Sequence, residues 1–233
     1  MVRPDTVPAS PGRSVGEAAT RAHANMRDRV YGETINHALL ELFTPGRRVL
    51  DIGCGTGVWA PHLRRRGAKE LIGIEISPVA AAEAGARYDR VMTQPSESIE
   101  PDDLGERFDT IIAADVIEHF VEPFDELQKW RDWSAPDGEL VISTPNLRHF
   151  RVLGELILRG RFDYVDGGGV MDRTHLRWFT HRSLADALSR AGWEMVRIGE
   201  VRSGRSGRVN TLAAGRLNGL LTVQIQLVAR RRR

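Results

Sequence analysis

Residues 48–63 read RVLDIGCGTGVWAPHL: an apolar run, three glycines at alternate positions, then residues of helical character. Val49, Leu50 and Ile52 suit a strand buried on both faces. Gly53, Gly55 and Gly57 admit backbone conformations closed to other residues, so the segment predicts a strand, a tight turn and a helix. Such a turn lets a ligand approach the main chain. Working outward, strands are predicted over 47–52, 70–76, 89–92, 108–114 and 139–144, alternating with helices over 57–66, 78–87 and 123–133. A further helix over 181–191 precedes WEMVRIGEV (193–201), and LTVQIQLVA (221–229) alternates as a strand with one more exposed face would. Alternation of this kind builds an α/β fold, a parallel sheet with helices on both faces.

The chain has 233 residues, 41% of them hydrophobic, enough to bury a sizeable core in one main domain. Lys and Arg number 33 against 31 Asp and Glu, a near balance that gives no reason to expect nucleic acid bound through bulk charge. The basic excess is local, in VRSGRSGR (201–208) and the terminal ARRRR, and reads as solvated chain. Cys54 is the only cysteine, so an intramolecular disulfide and a cysteine metal site are both excluded, which suits a reducing compartment. Neither a secretory signal pattern nor an apolar run of membrane-spanning length occurs, and a cytoplasmic protein is expected. The expected organisation is a disordered leader over 1–13 with Pro4, Pro8 and Pro11, N-terminal helices over 14–46, a main domain over 47–230 and a basic tail at 231–233.

Two ligands commonly use a glycine turn after the first strand of such a sheet. Gly55, Gly57 and Ala60 fit the dinucleotide pattern G-x-G-x-x-A, and Glu75 follows Gly55 by the 20 residues expected of a ribose-binding acid. Spacing admits this reading. Charge argues against it, because Asp51 stands directly ahead of the turn where a pyrophosphate would be repelled. S-adenosylmethionine instead brings a sulfonium and an ammonium, to which an acid near the turn is attractive. Glu75 would then accept hydrogen bonds from both ribose hydroxyls.

VLDIGCGTG, LIGIEIS and FDTIIAADVIEHF, in that order, resemble three successive motifs of the class I S-adenosylmethionine-dependent methyltransferases. The likeness covers about residues 25–230. It implies a Rossmann-like, doubly wound, seven-stranded, mostly parallel sheet whose last strand, here TVQIQLVAR, is antiparallel. By motif position it implies cofactor contacts from Asp51, Gly53, Gly55, Gly57, Glu75 and Asp115. Where many members carry an acidic residue and a small one for adenine, this chain reads TQPSES, which assigns Ser96 and Glu97.

The third motif places Asp115, Glu118 and His119 at the carboxyl end of a strand, where ligands of open α/β sheets bind. Methyl transfer is an in-line displacement that must align an acceptor and, for a hydroxyl, remove its proton. His119 is the candidate base, with Asp115 and His175 as further catalytic candidates; the alternative is that Glu118 and His119 merely brace the following helix. DVIEH also resembles the E-x-x-E-H signature of relatives that methylate RNA 3′ ends or quinone precursors, with Asp115 replacing the first Glu. This raises, as a secondary reading, a divalent metal held by Asp115, Glu118, His119 and His175; the primary reading assigns no metal ligand.

Residues 145–180 are longer than a crossover needs and mix arginines, aromatics and three consecutive glycines, so an acceptor-binding insertion is expected there, a lid hinged at Gly167–Gly169. Phe150, Leu153, Leu156 and Ile157 fit an amphipathic helix expected to face mostly core, while Phe162, Tyr164, Trp178 and Phe179 are candidate pocket walls. RGRFDY and DRTHLRWFT resemble a segment of methyltransferases from bacterial cell-surface glycan and secondary-metabolite clusters. The expected activity is O-methylation of a small-molecule or glycan hydroxyl, with nucleic acid an unexpected partner. The alternatives are an RNA 2′-O-methyltransferase and a non-catalytic cofactor-binding module.

Overall fold

A computed structural model describes residues 35–202 and 218–232. The leader, most of the N-terminal helical segment and the basic run at 203–208 lie outside the described residues. Seven strands form one sheet: β1 (Arg48–Ile52), β2 (Glu70–Ile74), β3 (Arg90–Met92), β4 (Phe108–Ala114), β5 (Ser134–Pro145), β6 (Trp193–Arg202) and β7 (Thr222–Arg231), in the order β3-β2-β1-β4-β5-β7-β6. β1 to β5 pair in parallel, with Leu50 opposite Ile72 and Ile111 opposite Leu140. β7 runs antiparallel to both its neighbours, Ile142 standing opposite Leu227. This is the expected mostly parallel, Rossmann-like sheet with an antiparallel last strand.

The central strands are apolar on both faces because helices cover both. Leu50, Ile52, Ile111, Leu140 and Ile142 meet Leu127, Trp130 and Trp133 of α5 (Pro123–Trp133) and Leu184 and Leu188 of α7 (His181–Arg190). On the other face Val49, Ile112, Val141 and Val228 share a core with Leu39 and Leu40 of α1 (His37–Leu40), Leu63 of α2 (Ala60–Arg65) and Ala84 of α3 (Pro78–Ala84). A short α4 (Pro101–Leu104) precedes β4, and α8 (Asn218–Leu221) precedes β7. No helix among the described residues is long and apolar enough to cross a membrane.

The departures from expectation include two element starts and one burial pattern. The helix predicted from residue 57 begins only at Ala60, because Gly57 has φ of 84° and still belongs to the turn. β5 starts at Ser134, earlier than predicted, through an irregular pairing with Phe108. The third difference is larger. α6 (Phe150–Arg159) is a helix of the predicted amphipathic kind, yet it buries no residue; Ile157 is 74% and Leu158 84% exposed. It leaves the end of β5 on a long connection with no sheet face beneath it. Its apolar side is therefore surface, and the core expectation is overturned. The three glycines that follow have φ of 93°, 108° and 88°, and Val165 bridges Asp172 across them, closing a compact turn.

Candidate active site

The strand order reverses at β1 and β4, and the connections leave the carboxyl ends of these strands in opposite directions, opening a cleft. A cavity of about 260 Å³ fills it. Its walls come from the turn after β1 (Gly53 to Thr56), Glu75 after β2, Gln94 to Glu97 after β3, and Asp115, Val116, His119 and Phe120 after β4. Gly53 has φ of 69° and Gly55 of 54°, and a Cβ on Gly53 would lie 2.6 Å from Val116 Cγ2. The turn needs glycine for conformation and for space, which leaves its main chain open to the cavity.

Glu75 is buried, and its two oxygens are held from two sides: Gly55 N donates to Oε2 at 2.9 Å and Ser77 N to Oε1 at 2.7 Å. Burial raises its pKa, and these backbone donors oppose the rise. Glu75 lines the cavity, and a carboxylate has lone pairs beyond those the backbone amides occupy. Asp115 closes the opposite wall and is open to the cleft. Its carboxylate accepts from Gln224 Nε2 and from Ser143 Oγ. Crowding by protein raises its pKa while Gln224 and Ser143 act against the rise.

Beside this cavity the 3-10 turn Ile117–His119 meets residues 174–177, whose Leu176 and Arg177 amides donate to the Glu118 carbonyl. The meeting brings Glu118, His119 and His175 together, with one candidate ligand atom from each lying within 4.8 Å of the others. His119 Nδ1 lies 3.0 Å from the Thr174 carbonyl and His175 Nδ1 3.1 Å from the Val170 carbonyl. A carbonyl only accepts, so Nδ1 carries the hydrogen in both rings and Nε2 is the lone-pair nitrogen. Glu118 is 1% exposed and neither of its oxygens has a well-formed hydrogen bond. Burial, chiefly, and the nearby Asp115 push its pKa well up, with the Thr144 hydroxyl acting weakly the other way. His175 Nε2 stands 3.9 Å from Glu118 Oε1. A buried carboxylate facing two imidazole lone pairs is a donor set that fits a divalent cation.

The comparisons with known proteins bear on the whole arrangement. The methyltransferase domain family matches residues 23–198. The chain belongs to this methyltransferase family. A ubiquinone biosynthesis O-methyltransferase of Azorhizobium caulinodans is 35% identical over 105 residues, 43% of this chain and 41% of that protein. A tRNA U34 carboxymethyltransferase of Methylococcus capsulatus is 32% identical over 165 residues, 67% of this chain and 47% of that protein. The chain spans less than two thirds of the length of these curated relatives. The crystal structure of a SAM-dependent methyltransferase from Archaeoglobus fulgidus superposes with a TM-score of 0.56 at 18% identity, covering 94% of this chain and 95% of that one, a likeness of fold.

In this methyltransferase domain Gly53, Gly55, Glu75, Ser96, Glu97, Asp115 and His119 line the one cavity. Ser96 does so while its hydroxyl donates to Glu126 Oε2 at 2.7 Å, and Lys129 ties down the Ser96 and Glu97 carbonyls. His175 lines an adjoining depression with Tyr164, Arg173, Leu176 and Trp178. Phe162, Tyr164 and Trp178 form a mutual aromatic cluster with ring centroids 5.7 to 6.0 Å apart, whereas Phe179 is buried in the core. Asp115 stands apart from the Glu118–His119–His175 group, so the donor set has three members.

Asp51 and Gly57 lie behind the cavity wall. A Cβ on Gly57 would come within 3.1 Å of Ala84 Cα and of Tyr88, so this glycine serves close packing. Asp51 is 2% exposed and accepts a short hydrogen bond from Tyr88 Oη, with burial raising its pKa to about 7. Glu75, Glu97 and Asp115, then, are the acids that line the cavity. The Asp51 shift has a measurable consequence. Folded Asp51 keeps its proton up to about pH 7, whereas the unfolded residue loses it near the ordinary aspartate value of 3.8, so its contribution to stability is lost as pH rises through that window. In urea denaturation the stability of the wild type relative to Asp51→Asn is expected to be greatest below pH 4 and to shrink toward pH 7 to 8. A gap that stays flat over this range contradicts the assignment.

Proposed function

We propose that this domain transfers a methyl group from S-adenosylmethionine to a hydroxyl of a small molecule or glycan. The observation that carries the reading is His119 in the wall of the glycine-and-carboxylate cavity, with its ring 4.9 Å from that of His175, which lines the aromatic depression. Gly53, Gly55 and Glu75 would hold the cofactor, which supplies an electrophilic methyl when bound. Asp115 and Glu75 provide negative potential for a cationic ligand. His119, which lines the cavity with its ring beside that of His175, offers Nε2 as the acceptor of the hydroxyl proton.

The aromatic cluster offers apolar faces to an acceptor ring, aromatic or sugar. Under this reading the 145–180 insertion serves the acceptor and leaves the cofactor site alone. Trp178→Ala is expected to lower turnover by about tenfold or more while calorimetric affinity for S-adenosylmethionine stays near native. The turnover assay follows label from the cofactor into fractions of a metabolite extract, with a gain of one methyl mass identifying the product. Joint loss of cofactor affinity and thermal stability in Trp178→Ala makes the segment scaffold; label in an RNA fraction alone moves the acceptor to RNA.

A second reading has its own observation, the buried Glu118 carboxylate whose oxygens lack well-formed hydrogen bonds beside two imidazole lone pairs. Glu118, His119 and His175 would hold a divalent cation, which when bound supplies Lewis acidity for the acceptor hydroxyl. The RNA 2′-hydroxyl is the alternative acceptor that belongs with this reading.

A further inference from the structure

We propose that Gln224 is the positioning residue for the Asp115 carboxylate in the methyl-transfer site, and that Asn36 sets which end of the Gln224 amide faces it. The proposal rests on the reading above that Asp115 serves bound S-adenosylmethionine. Among the described residues Asp115 is the one non-glycine with positive φ, 56°. Aspartate tolerates this conformation at a cost, so something must over-determine it. Two groups do. Ser143 bonds both the Asp115 amide and its Oδ1, and Gln224 Nε2 reaches Oδ1 at 2.7 Å and Oδ2 at 2.6 Å. Gln224 reaches the cleft because β7 runs antiparallel, which brings its first residues to the carboxyl ends of the parallel strands.

A glutamine amide turned the other way would set oxygen against the carboxylate. Asn36 makes the shorter of the two contacts that set the direction. As the N-cap of α1 its Oδ1 accepts from the Leu39 N–H at 3.0 Å, and a backbone N–H only donates. Gln226 Nε2 donates to the same oxygen at 2.9 Å. Asn36 Nδ2 is thereby turned toward Gln224 Oε1, 2.7 Å away, with Gln226 Nε2 a longer second donor to that oxygen at 3.3 Å, which leaves Gln224 Nε2 for Asp115. A chain of fixed polarity runs from one helix amide through two side-chain amides to a carboxylate in the cleft.

Asn36→Asp separates this role from capping. Aspartate caps as well as asparagine does, so α1 keeps its N-terminus. A carboxylate oxygen then faces Gln224 Oε1, the glutamine turns over, and oxygen meets Asp115. Gln224→Met removes the same donor without adding charge. Calorimetry with S-adenosylmethionine is expected to show about tenfold weaker binding in each variant, with the melting temperature of Asn36→Asp within a few degrees of the wild type. In an Asp115→Asn background neither substitution is expected to weaken binding further. Native affinity in Asn36→Asp and Gln224→Met, when Asp115→Asn binds weakly, overturns the positioning role. An undiminished loss in the Asp115→Asn background makes the chain structural and also overturns it. Unchanged affinity in Asp115→Asn itself defeats the reading of Asp115 on which the proposal stands.

Discussion

Glu75→Ala is expected to weaken S-adenosylmethionine binding by about 1.5 to 3 kcal/mol, roughly 10- to 150-fold in Kd, because hydrogen bonds to a charged, buried acceptor are lost. The structure adds a second reason. Glu75 oxygens receive the backbone amides of Gly55 and Ser77, so this carboxylate also holds the glycine turn against the loop after β2. Alanine removes the ligand contact and frees both amides. Glu75→Gln separates the two effects: it keeps the shape and one acceptor oxygen but sets an NH2 against one of the amides, and intermediate affinity is expected. The measurement is calorimetric titration with S-adenosylmethionine and with its demethylated product. Native affinity in Glu75→Ala, or tight binding of NAD by the wild type, defeats the cofactor assignment.

Glu75 and the glycine turn were legible because the rules that reveal them are local. Alternate glycines after an apolar strand constrain the backbone wherever they occur, and the next strand end lies a fixed distance on. The partner of Asp51 was not legible in this way, since Tyr88 comes from the segment after α3 and only the folded sheet brings the two together. Burial beneath that contact changes the reading of Asp51 from a charge at the turn to an enclosed acid with its pKa raised to about 7, the Tyr88 hydrogen bond opposing the rise. α6 shows a different limit. Helical periodicity says that one face is apolar but not whether the fold supplies a surface to cover it, and here Phe150, Leu156, Ile157 and Leu158 meet solvent. The asparagine–glutamine chain did leave a trace. Gln224 and Gln226 are the polar residues in the otherwise apolar stretch VQIQLVA; their alternation reads as a more exposed face, whereas Gln226 is buried and its amide demands partners.

The largest expected effect on turnover is that of His119→Ala, a loss of about 10²- to 10⁴-fold with cofactor affinity changed little, as for removal of a general base. The His119 ring lines the cofactor cavity and also belongs to the Glu118–His119–His175 group, and its Nδ1 contact to the Thr174 carbonyl leaves Nε2 as the basic nitrogen. Whether that nitrogen takes a proton or a cation is decided by pairing the variant with a metal experiment. As a metal-free base, wild-type His119 retains full turnover in excess EDTA, and the lost activity of His119→Ala does not return with added magnesium or manganese. As a ligand, it loses turnover in EDTA and regains it with the metal, and Glu118→Gln is then as damaging as His119→Ala, because the one anionic member of the group is gone. Glu118→Gln has a milder expectation without metal: burial disfavours the charged form of this acid, and a neutral amide of the same shape replaces it with little loss. His119→Ala with native turnover defeats both roles and leaves the DVIEH turn as a brace between β4 and the 174–177 segment.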